Sequence, residues 1–316
     1  MDGFLDRKRW AFCRLLLGSL ILLAALASSA VAATRSPAVT ATRSSAVAAI
    51  RTWARAGTRN AAVTRGSGYL ALGDSVPFGY QESAVVPAPN YRQPSTFKGY
   101  PEQLGATLHL KVTNLACPGE TSGSLINTAT LSNGCENGYR KAFPLHVAYR
   151  GAQLSYAVAF LRRHPGVRLV SLMIGANDLF LCQKTASDHC LSAAEQRPVL
   201  ARISANVRRI LSAIRNRAHY RGQLVIVNYY SLNYTVPLIN SQSQALNNAM
   251  DSAAKPFGVR FADGYGELKA ASFRFGSNPC LGGLLTQLGT YGTCGVHPSY
   301  AGQALLAKAV ARAIRL

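Results

Sequence analysis

Four short segments combine residue types that could carry out acyl transfer. A serine follows an apolar stretch in Gly73-Asp74-Ser75, and a glycine turn at Gly119 follows the next apolar stretch. A third stretch ends in Gly175-Ala176-Asn177-Asp178, and His297 lies near the C-terminus. A serine hydroxyl becomes a good nucleophile when a neighbouring base takes its proton, and histidine suits that task near neutral pH. Ser75 and His297 are therefore the predicted nucleophile and base.

Attack on an ester carbonyl places negative charge on its oxygen, which must be met by fixed hydrogen-bond donors. The backbone N–H groups of Ser75 and Gly119 and the side-chain amide of Asn177 could form such an oxyanion hole. Loss of one donor typically costs about 2.7–4 kcal/mol of barrier stabilisation. Each segment alone is weak evidence, because Gly-Asp-Ser is usually a turn and Asn177 or Asp178 could cap a helix. The prediction depends on all four segments occurring in this order.

From residue 68 onward, short apolar runs alternate with segments of helical period. Strands are predicted at residues 69–72, 111–115, 168–174, 223–228 and 259–261. Helices are predicted at residues 100–108, 152–163, 193–217, 241–255 and 300–314. This alternation indicates an α/β fold, a three-layer α/β/α sandwich with a five-stranded parallel sheet. Sites in such sheets form beyond the carboxyl ends of the strands, which is where the first three segments fall.

In these ordered segments the chain resembles the SGNH hydrolase family, also called GDSL lipases and esterases, and particularly its secreted bacterial members with three disulfides. The similarity covers essentially residues 68–316 and rests on Gly73-Asp74-Ser75, Gly119, residues 175–178 and His297. The resemblance implies a single SGNH, flavodoxin-like domain, a serine nucleophile, an acyl-enzyme intermediate and hydrolysis of carboxylic esters. It also implies that no cofactor is needed and that the protein is a monomer.

The sequence departs from the family pattern beside the histidine. The family commonly places an aspartate three residues before it, and this chain has Cys294 there. A half-cystine cannot accept a hydrogen bond from imidazole as a carboxylate would. Either Asp263 reaches His297, or a backbone carbonyl near Cys294 orients the ring. We favour the carbonyl, because a disulfide at Cys294 would hold that turn rigid and a Ser/His dyad would still have an acceptor that fixes the histidine tautomer.

Six cysteines follow the N-terminal region, and they allow fifteen pairings. The pairs that are sequential in the chain each close a short loop rich in Gly, Ser or Asn, and we expect the disulfides Cys117–Cys135, Cys182–Cys190 and Cys280–Cys294. No Cys-x2-Cys pair or paired-histidine spacing occurs, so no metal site is expected. Disulfides indicate a protein that leaves the cytoplasm.

The N-terminus has the order of segments that is typical of a signal peptide. Basic residues precede an apolar run from Leu15 to about Ala27, and small residues ending at Ala32 follow it. A retained membrane anchor is the alternative, because the apolar run is nearly long enough to span a bilayer. We favour cleavage and secretion, since the end of the run is small rather than bulky. Three regions are thus predicted, a signal peptide (1–32), a disordered linker rich in Ala, Thr, Ser and Arg (33–67) and the hydrolase domain (68–316).

The chain is strongly basic, with a formal net charge of +21. Of its 34 Lys and Arg residues, 10 precede residue 68, as do 2 of its 13 acids, so the predicted domain itself carries +13. Such a surface could attract anionic lipid, an acidic cell-envelope polymer or nucleic acid. Nucleic acid is not expected, because no aromatic-interleaved basic stripe or recognition motif is present.

The predicted function is therefore a secreted serine hydrolase of the lipase or esterase type. The loops 87–96, 124–148 and 231–240 are expected to wall its pocket, but they do not set the length of the acyl chain. One alternative keeps the enzyme and changes the substrate to a phospholipid or an acetylated polysaccharide. The other is a non-catalytic module that binds anionic envelope polymers, for which the missing aspartate is the only specific support.

Overall fold

The computed structural model describes residues 61–289 and 292–316. The predicted signal peptide and residues 33–60 of the predicted linker lie outside these ranges. Among the helices of the described residues, none has the length and hydrophobicity that a membrane span requires.

The centre of the fold is a parallel sheet of five strands. The strands are β1 (Gly68–Gly73), β2 (Lys111–Asn114), β3 (Val167–Met173), β4 (Gln223–Val227) and β5 (Arg260–Ala262). Their spatial order is β2-β1-β3-β4-β5, with every neighbouring pair parallel. Each strand lies within one residue of its predicted range at both ends, so the predicted sheet is confirmed.

Helices cover the sheet. They are α1 (Ser75–Phe78), α2 (Tyr100–Leu108), α3 (Arg140–Ala142), α4 (Gln153–Arg163), α5 (Ala176–Thr185), α6 (Ala193–Ser212), α7 (Pro237–Ala254), α8 (Gly264–Ser272) and α9 (Tyr300–Ala313). Helix α9 packs on α2, α8, β4 and β5, whereas α6 packs on α5 and α7. With the sheet between them, these two groups of helices form the three-layer α/β/α sandwich that the sequence predicts.

Several elements differ from their predictions. The predicted helix 193–217 ends as α-helix at Ser212 and continues as a π-turn over Ala213–Arg217. Helix α7 begins four residues earlier than predicted, because Pro237 has the fixed φ that suits a first helical position. The antiparallel pair β6 (Leu285–Gln287) and β7 (Cys294–Pro298) was not predicted.

The core agrees with the apolar pattern of the sequence. The strand residues Leu70, Leu72 and Leu169 are almost completely buried, as expected for a sheet that is covered on both faces. On α6, Ile203 and Val207 are fully buried while the arginines of the opposite face are exposed. The predicted amphipathic face of this helix is therefore confirmed.

The folded region begins before residue 68, which corrects the predicted end of the linker. Val63 is only 1% exposed, and its N–H donates to the carbonyl of Arg315 at 2.9 Å. The N–H of Gly66 donates to the carbonyl of His109 at 2.9 Å. These residues are ordered because one of them buries apolar surface and both satisfy their backbone groups against the domain.

Three disulfides join the described cysteines. The pairs are Cys117–Cys135, Cys182–Cys190 and Cys280–Cys294. These are the sequential pairings that the loop lengths favoured.

Candidate active site

Ser75 stands at the carboxyl edge of the sheet because a tight turn ends β1. Gly73 has a φ of 139°, and a Cβ there would lie 2.0 Å from the carbonyl oxygen of Met173, so the turn requires glycine. The Asp74 side chain then caps α1 by accepting from Val76 N–H at 3.0 Å. Ser75 is thereby the first residue of the short helix α1.

The histidine from the other end of the chain meets this serine. His297 lies on β7, and its Nε2 is 2.8 Å from Ser75 Oγ. Its Nδ1 is 2.7 Å from Oε1 of Glu82. An ionised carboxylate can only accept, so Nδ1 carries the ring proton in neutral imidazole and Nε2 accepts from the serine hydroxyl. The three side chains form one continuous chain of hydrogen bonds.

Glu82 was not among the residues predicted for the site. Its Oε1 also accepts from Val296 N–H at 2.9 Å, and its Oε2 accepts from the Thr286 hydroxyl at 2.5 Å. Burial alone would raise the pKa of this carboxyl group. The hydrogen bond and charge of His297, together with Thr286, outweigh burial and lower the pKa of Glu82 to about 2. The carboxylate therefore stays ionised across the neutral range.

Neither predicted partner of the imidazole contacts it, which is a correction. Asp263 is exposed and accepts from Gly266 N–H at 2.8 Å as the N-cap of α8. No hydrogen bond within the described residues joins His297 to Asp263 or to Cys294. The carbonyl prediction assumed a tight turn, but residues 294–298 form strand β7, in which positions three apart are separated by roughly 10 Å.

A sequence signal for Glu82 was present but indirect. Glu82 is the first acid after the nucleophile segment, and Gly295 stands two residues before the histidine. A Cβ on Gly295 would lie 2.0 Å from Glu82 Oε1. The glycine therefore leaves the space that the carboxylate fills, a relationship that becomes visible only in three dimensions.

The predicted oxyanion donors line one cavity with His297. Ser75, Gly119 and Asn177 all face this space. Asn177 lies inside α5, whose N-cap is Gly175, so it does not cap the helix. Its Oδ1 accepts from Asn133 Nδ2 at 2.8 Å, which leaves its Nδ2 as the donor. In the part of the chain that the structure describes, no hydrogen bond uses this Nδ2 or the backbone N–H groups of Ser75 and Gly119.

The loop that carries Gly119 is held in place on two sides. Gly119 has a φ of 83°, and a Cβ there would lie 2.6 Å from the carbonyl oxygen of Asn133. Asp178 accepts from the backbone N–H of Ser122 at 2.8 Å and from its hydroxyl at 2.6 Å. Burial raises the pKa of Asp178, although the bonds from Ser122 oppose the shift. Asp178 thus ties this loop to the helix that carries Asn177.

A buried glutamine connects the nucleophile turn to the same loop. Gln153, fully buried, accepts from Gly73 N–H at 2.7 Å and donates to the Gly73 carbonyl at 3.0 Å. Its Nε2 also donates to Glu120 at 3.1 Å. Burial raises the pKa of Glu120 to about 8, against the hydrogen bond from Ser124. The Gln153 side chain therefore links the turn at Gly73, which precedes Ser75, to Glu120, which follows Gly119.

Asp74 is a second buried acid beside the nucleophile. It is 0% exposed, and its carboxylate accepts from the Tyr229 hydroxyl as well as from Val76 N–H. Burial raises the pKa of Asp74 to about 6, although both hydrogen bonds act in the opposite direction.

Two cavities meet at Ser75, Asn177 and His297. The first, the leucine-lined cavity, has a volume of about 390 Å³. Its apolar walls include Leu179, Leu232, Ile239 and Leu246. The second, the tyrosine-lined cavity, has a volume of about 440 Å³. Its walls include Tyr80, Tyr139, Ala142 and Phe143.

Two of the three predicted loops contribute to these walls. Residues of 124–148 line the tyrosine-lined cavity, and Leu232 and Ile239 of 231–240 line the leucine-lined cavity. No residue of 87–96 lines either cavity, which corrects that prediction. Tyr91 instead packs behind the wall, against the rings of Tyr80 and Phe143.

One group with the spacing of metal ligands lies nearby, formed by Cys117, Glu120 and Cys135. Its two sulfur atoms are joined in a disulfide, so they do not provide thiolate ligands.

Comparison with known proteins identifies a matching family model and similar folds. A model of the GDSL-like lipase/acylhydrolase family matches residues 71–305. The extracellular lipase of Streptomyces rimosus is 21% identical with a TM-score of 0.51, over 78% of this chain and 100% of that chain. Phospholipase A1 of Streptomyces albidoflavus is 19% identical with a TM-score of 0.50, over 78% of this chain and 99% of that chain. No curated protein sequence matches.

Proposed function

Because the chain belongs to the GDSL-like lipase/acylhydrolase family and is therefore a carboxylic ester hydrolase, we propose that Ser75, His297 and Glu82 are its catalytic triad. The observation that carries the proposal is the continuous chain from Ser75 Oγ to His297 Nε2 at 2.8 Å and from His297 Nδ1 to Glu82 at 2.7 Å. A nucleophile, a base and a group that orients the base are the components that acyl transfer by serine requires.

In the first half of the reaction, Ser75 Oγ attacks the ester carbonyl carbon while its proton moves to His297 Nε2. The ionised Glu82 stabilises the imidazolium that forms, through the bond to Nδ1. Negative charge on the carbonyl oxygen is met by the N–H groups of Ser75 and Gly119 and by Asn177 Nδ2. His297 then gives its proton to the leaving alkoxide, the alcohol departs, and the acyl group remains on Ser75.

The second half repeats these steps with water. His297 takes a proton from a water molecule, whose oxygen attacks the acyl-enzyme carbonyl. Collapse of the second tetrahedral intermediate releases the carboxylic acid and returns the proton to Ser75. Every proton in this cycle passes through His297 Nε2, so one imidazole serves as base and acid in turn.

The two cavities suggest how the substrate is divided. The leucine-lined cavity presents mainly apolar surface, which favours an acyl chain by burial of apolar area. The tyrosine-lined cavity carries Asn133 and several glycines among its aromatic rings, and it would hold the alcohol part. We therefore propose a lipase or esterase that acts on acyl esters with an extended aliphatic chain.

The proposal includes secretion. Its support is the predicted signal peptide and the three disulfides, which persist in oxidising compartments.

The idea of a non-catalytic binding module depended on the absence of an acid at Cys294. Glu82 supplies an acceptor to His297 from elsewhere in the chain, and this removes the specific support for that alternative.

A covalent probe tests the nucleophile directly. A fluorophosphonate should label Ser75 in the native protein, and Ser75→Ala should lose both labelling and hydrolysis of a p-nitrophenyl ester. Ser155→Ala, which changes an exposed serine on α4, is the matched control and should retain both. Unchanged turnover by Ser75→Ala would refute the proposal.

The role of Glu82 needs a separate variant. Glu82→Gln keeps the size of the side chain but removes the charge that orients and stabilises the imidazolium. We expect kcat to fall roughly 10²- to 10⁴-fold with little change in KM. A variant with native kcat would show that Glu82 has no part in the reaction.

A further inference from the structure

The edge of the sheet opposite Ser75 carries a groove of basic side chains. This is the edge at which β1, β2 and β3 begin, near Gly68, Lys111 and Val167. Two adjoining cavities of about 420 and 480 Å³ share His164, Pro165 and Val167. The cations that line them, called here the basic groove, are Lys111, Arg162, Arg163, Arg168 and Arg221.

Within the described part of the chain, no acid lines the basic groove. All five are exposed, and no Asp or Glu lines either cavity. The ion pairs found among the described residues involve Glu82, Glu136 and Glu267, none of which lines the groove. Five cations that line one groove with no acid in its lining repel one another, and a bound polyanion would relieve that repulsion.

A partly buried arginine adds to the positive charge behind the wall. Arg215 donates to the carbonyls of Tyr220 at 3.1 Å and Gly222 at 2.8 Å, and both of these residues line the first cavity. Burial lowers the pKa of Arg215, and the charge of Arg221 acts in the same direction. Arg215 therefore fixes the shape of the groove and brings a further cation close to it.

Helix electrostatics explain only part of this arrangement. Arg162 and Arg163 lie in the last turn of α4, where the helix dipole favours cations. Lys111 and Arg168 lie in strands β2 and β3, and Arg221 precedes β4, so none of these three belongs to the last turn of a helix. The groove brings together cations from four different segments of the chain.

We propose that the basic groove binds a linear polymer of phosphate groups. Four of its five cations are arginines, whose planar guanidinium matches the oxygens of a phosphate. The two cavities lie side by side and form a track for several phosphates rather than a pocket for one. Ala61, at the start of the described residues, also lines the first cavity.

The features of the groove argue against two other partners. A lipid surface would need apolar side chains to insert, and none of the large exposed hydrophobic residues lines these cavities. Nucleic acid bases would need an open aromatic face, but Tyr69 and Tyr220 are buried and Phe160 stacks on His164 at 3.9 Å. Binding here leaves the opposite edge of the sheet, and Ser75, open to substrate.

Binding of fluorescently labelled inorganic polyphosphate to the full chain tests the proposal by anisotropy. We expect binding that weakens as salt is raised. Arg168→Ala combined with Arg221→Ala should weaken it on the order of tenfold, and Lys111→Ala should weaken it through the second cavity. Arg208→Ala combined with Arg209→Ala removes the same charge from the exposed face of α6 and should change the affinity less than twofold.

Hydrolysis of a soluble ester serves as the folding control, because Ser75 lies at the other edge of the sheet and the groove variants should retain it. Equal losses of affinity in the groove pair and the α6 pair would overturn the proposal, since net charge alone would then explain binding. Tighter binding of a single-stranded oligonucleotide or of phosphatidylglycerol vesicles than of polyphosphate would also overturn it. None of these outcomes depends on whether the triad assignment is correct.

Discussion

The carboxylate of Glu82 occupies the space in which a side chain at Gly295 would lie. A Cβ on Gly295 would be 2.0 Å from Oε1 and 2.2 Å from Cδ of Glu82. The same oxygen accepts from Val296 N–H at 2.9 Å and lies 2.7 Å from His297 Nδ1. The acid that is hydrogen-bonded to His297 therefore comes from the loop after α1, and strand β7 leaves the space that it fills.

Gly295→Ala should inactivate the enzyme without unfolding it. The atoms that the new methyl group meets belong to the end of a flexible side chain, so the carboxylate moves while the backbone stays in place. We expect kcat to fall by roughly 10²-fold or more, with a melting temperature close to that of the native protein. Adding Glu82→Ala to Gly295→Ala should cause little further loss, because both changes remove the same interaction. Fully additive effects would contradict this explanation.

Asp74 should make stability fall as pH rises from about 4 to about 6. Its pKa is raised from 3.8 to about 6 in the folded protein, so the unfolded chain releases this proton first. The folded state then binds more protons than the unfolded state, and the free energy of unfolding decreases with pH in this window. The variant Asp74→Asn has no such proton. Urea unfolding between pH 4 and 7 should show this variant gaining stability relative to the native protein up to about pH 6; a constant difference would contradict the prediction.

Filling the leucine-lined cavity should change the preferred acyl chain. Ile239→Trp replaces an aliphatic side chain by the larger indole ring in this cavity. We expect kcat/KM for a dodecanoyl ester to fall roughly tenfold or more relative to an acetyl ester. Ala142→Trp makes a comparable addition to the tyrosine-lined cavity. That control should leave the ratio between the two chain lengths unchanged and slow the turnover of bulky alcohols. If Ala142→Trp changed the chain-length ratio and Ile239→Trp did not, the acyl chain would be assigned to the tyrosine-lined cavity instead.

The Cys117–Cys135 disulfide should affect both stability and rate. It closes a loop with a sequence separation of 18 that contains Gly119 and Asn133, and its removal should cost about 3 kcal/mol. Replacing both cysteines by serine should also lower kcat, because the Gly119 N–H loses its fixed position. The same replacement at Cys182 and Cys190 is the comparison, and it should reduce stability while kcat is retained. Equal kcat in the two double variants would show that the Cys117–Cys135 disulfide does not hold the oxyanion hole in place.

Local patterns in the chain were enough to predict much of the architecture. The five strands could be placed within one residue because buried parallel strands are short apolar runs, and this property belongs to each segment by itself. Ser75, Gly119 and Asn177 could be selected for a similar reason, since each closely follows such a run. The disulfide pairs followed from loop length, which is also a local quantity.

The errors arose where a feature depends on distant parts of the chain. Val63 appeared to belong to a linker because its neighbours are small and polar, yet it is buried against the C-terminal end of the domain. The short elements α3 and the β6–β7 pair carry too few residues for a periodic pattern to emerge.

The amino-acid sequence by itself determined the class of fold and the order along the chain of the groups proposed for catalysis. Only the tertiary structure decided which acid serves His297, because Glu82 and the histidine are 215 positions apart and no local pattern links them. Their meeting depends on the contact between the loop after α1 and strand β7 and on the space left by the absence of a side chain at Gly295. The physical reason is that hydrogen bonds between side chains depend on distance in space, whereas sequence patterns report only distance along the chain.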